Sequence, residues 1–143
     1  MMSKITTAYK DDMLFESKLG NHNVVIDMPS LMGGKDRGPT PSELFIAALG
    51  SSIGGAVADY CQRLNFDTHN MTVDITFNTL ENPPRLANLR ATIHLPHCIC
   101  TGHEQAILQL TEHGLIAESL GMLKGIQIEL VDQQNVEVLK WLA

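Results

Sequence analysis

The sequence predicts a single α+β domain over residues 1–143, and three observations carry that prediction. Short alternating or β-branched segments flank one long run of small and apolar residues. That run opens on a helix-capping signature. The strand and helix signals then follow in the order β, β, β, α, β, β, α, α, β. A chain of 143 residues suits one domain and can bury a core without staples. With 44% hydrophobic and 18% charged residues, it belongs with ordinary globular chains rather than disordered or fibrous ones.

Residues 4 to 10 and 13 to 18 alternate or carry short apolar content, and Asn23-Val24-Val25-Ile26-Asp27 is β-branched, which predicts three short strands joined by tight turns. Lys18-Leu19-Gly20-Asn21-His22 supplies one turn. From Pro29 to Pro39, three glycines and two prolines predict a loop. Thr40-Pro41-Ser42-Glu43 is a capping box with proline at the first helical position. The Thr40 hydroxyl can accept from the Glu43 amide while the Glu43 carboxylate reaches back. The helix is expected over 41 to 64, with Phe45, Ala48, Leu49, Ser52, Ala56, Tyr60 and Leu64 along one face.

Within that helix Ala47, Ala48, Gly50, Ser51, Ser52, Gly54, Gly55, Ala56 and Ala58 form a narrow waist. A glycine costs about 1 kcal/mol relative to alanine in a helix interior, so the adjacent Gly54 and Gly55 predict close approach of another backbone. Beyond the helix, residues 71 to 78 and 89 to 95 alternate cleanly, with Asn82-Pro83-Pro84 between them. They read as two longer antiparallel strands with one solvated face. A second helix is expected over 102 to 113 on the stripe Ala106, Ile107 and Leu110, a short third over 114 to 120, and a strand over 125 to 131.

The net charge of −6, with no Lys/Arg stripe, argues against a nucleic-acid partner. Residues 1 to 7 lack the apolar core of a secretory signal, and no apolar run is expected to approach the roughly 20 residues that cross a bilayer. The expected compartment is the cytoplasm, with no membrane association. Three cysteines, an odd number, then point to free thiols, a metal site or redox chemistry rather than a disulfide framework.

The phrase Gly38-Pro39-Thr40-Pro41-Ser42-Glu43-Leu44-Phe45-Ile46-Ala47-Ala48-Leu49-Gly50-Ser51-Ser52 resembles the family of osmotically inducible protein C and organic hydroperoxide resistance protein (OsmC/Ohr). The resemblance extends to Val25-Ile26-Asp27 before the Gly33-Gly34 loop, to the segment 114 to 120, and to the strand at Ile126. It implies an OsmC-like fold. In that fold an intertwined homodimer packs long central helices against antiparallel sheets, and two pockets lie at the subunit interface. It also implies a peroxidatic thiolate and a resolving cysteine, recycled by a dithiol reductant without a cofactor. This chain places Ser52 and Gly114 at those two positions. An alcohol cannot accept an oxygen atom and give it back as sulfur does, so the thiol peroxidase cycle is not expected there. The family's arginine and glutamate direct attention to Arg37 and Glu43 as binding residues. Glu43 fits better as a helix cap, and Arg37 reads equally well as a pocket residue or a solvated loop charge.

Other constellations need weighing beside this. Gly50-Ser51-Ser52-Ile53-Gly54 matches G-x-S-x-G, but that motif works as a strand-to-helix elbow and here falls inside a helix, so small-residue packing is favoured. His97, Cys98, Cys100 and His103 offer sulfur and imidazole for a zinc- or copper-type metal. However, C-x-C is not the usual zinc spacing, and a strand-end loop with incidental thiols is favoured. Cys98 or Cys100 is also a candidate displaced catalytic thiol. Cys61, nine residues past Ser52, points to the opposite side of the helix by about 180° and reads as a small buried residue. His22, His69 and His113 read as surface or turn residues.

Three functional expectations follow. The first is a homodimer that keeps the interface pocket for a small hydrophobic ligand and lacks the peroxidase cycle. The second is a thiol-dependent hydroperoxide reductase acting through Cys98 or Cys100. The third is a metal-binding protein built on the segment from His97 to His103.

Overall fold

The computed structural model describes residues 2–120, 126–134 and 137–142. Its contacts divide the chain into two compact units, Met1–Ala47 and Ala48–Ala143.

In the first unit, β1 (Thr6–Asp11), β2 (Leu14–Leu19) and β3 (His22–Ile26) form an antiparallel sheet in that order. The turns are tight because left-handed residues make them: Asp12 and Met13 between β1 and β2, and Gly20 at φ 61 between β2 and β3. All six residues of β1 are exposed in the single chain. The loop that follows carries a 3-10 turn, Ser30–Met32, and closes on the backbone of β3. A side chain at Gly38 would strike the Val25 carbonyl, and one at Gly34 the Met28 carbonyl.

Helix α1 (Pro41–Arg63) begins as the capping box requires. The Glu43 amide donates to Thr40 Oγ1 at 3.2 Å, and the Thr40 amide donates to Glu43 Oε1 at 3.3 Å. The face it buries differs from the expected one. Leu49, Ile53, Gly54, Val57 and Cys61 are buried, whereas Ala48 and Leu64 are exposed and Ser52, Ala56 and Tyr60 are half-buried. The branched Ile53 and Val57 remove more apolar area from water than alanine or serine, so they take the inner side.

The helix also corrects the expectation about apolar runs. By length and composition α1 could cross a membrane, because its glycines and serines interrupt the apolar pattern without adding charge. A core helix passes the same test, and 28% of its most apolar window is buried within the single chain.

The second unit is built on a four-stranded sheet ordered β4-β5-β6-β7, with β4 (Thr72–Glu81), β5 (Pro84–Leu95), β6 (Ile126–Asp132) and β7 (Glu137–Leu142). Pairing is antiparallel for β4–β5 and β6–β7 and parallel for β5–β6. The parallel step is the one that carries helices in its crossover, α2 (Glu104–Leu110) and α3 (Leu115–Ser119).

Leu89, Ala91, Ile93 and Leu95 of β5 and Ile128 and Leu130 of β6 form the buried sheet face, joined by Ile107 and Leu108 of α2. Alternation along β5 leaves Asn88 and Arg90 exposed, which is the single solvated face that the pattern predicted.

Several boundaries moved, and one strand was added. Strand β5 starts at Pro84 rather than residue 89, where proline at the first strand position costs no ladder bond. Helix α2 loses its first residues to a turn in which Gly102 has φ 87, and it stops at Leu110. The last expected strand appears as Ile126–Asp132, while Gly125 lies outside the described residues. Strand β7 was not anticipated: Glu-Val-Leu-Lys-Trp-Leu is no strict alternation, and pairing along β6 makes it a strand.

Candidate functional site

Ser52 and Gly114 meet. Gly114 immediately precedes α3 with φ −72 and ψ 156, and a Cβ built on it would lie 3.2 Å from Ser52 Oγ. That φ is open to any residue, so the backbone does not require glycine there. The distance is tighter than an ordinary contact, and the bare Cα leaves the serine hydroxyl room. Two side chains placed at these positions would touch, a relation that the long sequence separation hides. What meets there is an alcohol and a hydrogen atom, with no sulfur to carry an oxidised state.

Arg37 is committed within the first unit. Its Nε donates to Asp27 Oδ2 at 2.7 Å, Nη1 to Asp11 Oδ1 at 3.2 Å, and Nη2 to the Asp11 and Asp12 carbonyls. Asp27 is 1% exposed and also accepts from the backbone amides of Met28, Lys35 and Arg37. The Arg37 guanidinium, with those amides, holds the Asp27 carboxyl well below the usual carboxylate range despite its burial. Arg37 is the outer half of a knot that ties the glycine loop to the end of β3. Asp27 was missed as its centre, although a carboxylate next to a glycine-rich loop rich in free amides was the available signal. Glu43, the other candidate binding residue, spends its carboxylate on Thr40.

The segment from His97 to His103 is divided rather than gathered. Cys98 and Cys100 are 3% and 0% exposed, with their Sγ atoms 2.9 Å apart. His97 is exposed beside the ring of His69 at 5.4 Å, and His103 Nδ1 pairs with the Tyr60 hydroxyl at 2.8 Å. Among the described residues, no group of three or more His, Cys, Asp or Glu side chains is arranged to hold a metal ion.

Burial pushes the Cys61 thiol up to about 11, with a further contribution from Cys98. Cys61 is completely buried. Because it sits nine residues along α1 from Ser52, roughly 13 Å of helix rise, this thiol lies toward the far end of the helix from Ser52.

A cavity of about 200 Å³ is lined by His94, Leu95, Pro96, Val131, Asp132 and Gln133. His94 Nε2 lies 3.0 Å from Asp74 Oδ2 on the neighbouring strand. Asp132, 4% exposed, accepts from the Cys100 amide at 3.1 Å and the Gln134 amide at 2.9 Å.

No protein-family model matches the sequence, and no curated protein sequence matches it significantly. Solved structures do match. A Psychrobacter arcticus protein ascribed to osmotic stress induction and the detoxification response superposes with a TM-score of 0.77 at 16% identity, covering 92% of this chain and 96% of its own. An OsmC-like protein of Mycoplasma pneumoniae gives 0.71 at 15% identity, with 92% and 96% covered. The organic hydroperoxide resistance protein OhrB of Bacillus subtilis gives 0.63 at 16% identity, with 91% and 98% covered. Nearly whole-chain superposition at such low identity establishes architecture, and the chain has the α+β fold of the OsmC and organic hydroperoxide resistance proteins.

Proposed function

We propose that this protein is a single-domain, cytoplasmic OsmC-type homodimer whose site around Ser52 and Gly114 binds a small hydrophobic ligand and does not run a thiol peroxidase cycle. The observation that carries the reading is the 3.2 Å approach of a Gly114 Cβ to Ser52 Oγ. The two positions that the resemblance gives to the cysteine pair adjoin, and neither supplies sulfur.

The exposed apolar surface supports a covering partner. Leu31, Met32 and Tyr9 are 101%, 60% and 61% exposed, and much of apolar α1 is uncovered in one chain. A stress- or peroxide-related role is proposed by analogy with the structural neighbours named above.

The test is turnover of an organic hydroperoxide by the purified protein with dithiothreitol or a lipoyl dithiol. We expect no consumption above that of a Ser52→Ala variant. Catalytic turnover that disappears in Cys98→Ser or Cys100→Ser would overturn the reading in favour of a reductase with a displaced thiol.

A further inference from the structure

We propose that His69 and His97 form a zinc site in which two imidazoles hold one ion and water completes its coordination. Their ring centres lie 5.4 Å apart, with the planes tilted by 36°. An imidazole nitrogen binds zinc at about 2.0–2.1 Å, and the ring centre lies roughly 1.2 Å behind that nitrogen. Each centre therefore stands about 3.2 Å from a bound ion, and two of them at the tetrahedral angle are about 5.2 Å apart. The observed spacing already meets that requirement. An ion with neighbouring ligands at a right angle, as tetragonal copper(II) has them, would need about 4.5 Å.

The backbone sets this spacing from both sides. Thr72 pairs with His94 at the first rung of the β4–β5 ladder, and His69 lies three residues before the one while His97 lies three after the other. Each histidine occupies a turn closed by its own hydrogen bond. The Met71 amide donates to the Thr68 carbonyl at 3.0 Å, and the Cys98 amide to the Leu95 carbonyl at 3.2 Å. The His69 amide is also held by Asp67 Oδ1 at 2.8 Å, and the Cys98 carbonyl accepts from the Gln133 amide at 2.9 Å. Both side chains are exposed, so their rings can turn nitrogen toward a shared ion without disturbing the core.

This is not the ligand set that the sequence suggested. Cys98 and Cys100 are buried and His103 is bonded to Tyr60, which leaves His97 with a partner from the turn before β4. Imidazole nitrogen suits zinc and its transition-metal neighbours and discriminates against magnesium and calcium, which take oxygen. The tetrahedral spacing selects zinc among them. Two protein ligands leave the remaining positions to water, so the ion is exchangeable and open to a further ligand. The net charge of −6 favours the approach of a cation.

The experiment titrates zinc chloride into the reduced, untagged protein by calorimetry, with magnesium chloride as the control, and follows the histidine ring resonances by NMR. We expect one zinc per chain, no response to magnesium, and resonance changes confined to the rings of His69 and His97. His69→Ala and His97→Ala should each weaken binding by at least about tenfold, since even a group behind a metal ligand is worth about 10–100-fold. His22→Ala should leave it unchanged. Cobalt(II) in place of zinc should show no thiolate-to-metal absorption band. Failure to bind zinc, binding that survives both His69→Ala and His97→Ala, or a cobalt–thiolate band would each overturn the assignment. The resonance changes are read on the wild-type protein and need no variant to fold. None of these readouts depends on whether the Ser52 site binds a ligand.

Discussion

At the scale of single residues, two arrangements make opposite use of polar chemistry. Asp27 is a buried carboxylate kept charged by Arg37 and three backbone amides. Its folded-state proton affinity is depressed, so its contribution to stability is present above the unfolded carboxyl range near pH 4 and is lost as pH falls below it. Asp27→Asn should therefore lower the melting temperature at pH 7 and flatten the acid limb of the stability curve below about pH 4, as read by thermal melts across pH. An unchanged acid limb would show that the knot contributes nothing.

The second arrangement is Ser52 facing Gly114. A double Ser52→Cys, Gly114→Cys variant should form a disulfide on mild oxidation, because a Gly114 Cβ would lie 3.2 Å from the side-chain atom of residue 52, a gap that an S–S bond of about 2.05 Å can bridge. Free-thiol counting of the oxidised variant checks this, and two persistently free new thiols would refute it.

At the scale of elements, α1 carries two adjacent glycines with different surroundings. A Cβ at Gly54 would sit 3.3 Å from Val73 Cγ2 of β4, while one at Gly55 meets nothing within 4 Å in the chain. Only Gly54 answers the expectation of a close neighbour within the subunit, and that neighbour is a side chain rather than a backbone. Gly54→Leu should overpack the core and cost about 1–3 kcal/mol in chemical denaturation. Gly55→Leu should leave monomer folding intact and instead weaken self-association, as read by sedimentation, if a second copy covers that face.

The start of α1 was legible because Thr40 and Glu43 are three residues apart and cap the helix locally. Its buried face was less legible. Small residues populate every side of the helix, so periodicity alone could not tell the buried side, taken by Ile53 and Val57, from the uncovered side.

At the scale of the molecule, the acidic charge and the extent of uncovered apolar surface belong together. Net charge of −6 opposes nonspecific association, so the partner proposed to cover the apolar surface would have to be specific. If that partner is a second copy, the melting temperature should rise with protein concentration, by mass action on a dimer. A concentration-independent melting temperature together with a monomeric mass would argue against the proposed assembly.

Sequence by itself determined whatever is written within a few residues: the capped start of α1, its small-residue waist, the alternation of β4 and β5, and the absence of sulfur at positions 52 and 114. Tertiary structure alone decided which distant groups meet. It brought Gly114 against Ser52, turned Arg37 onto Asp27, paired β7 with β6, and aimed Cys98 and Cys100 at one another while sending His103 to Tyr60. Capping and periodicity are local energies that a short window contains. Contacts between elements depend on how the whole chain closes, and for that a sequence carries no local marker.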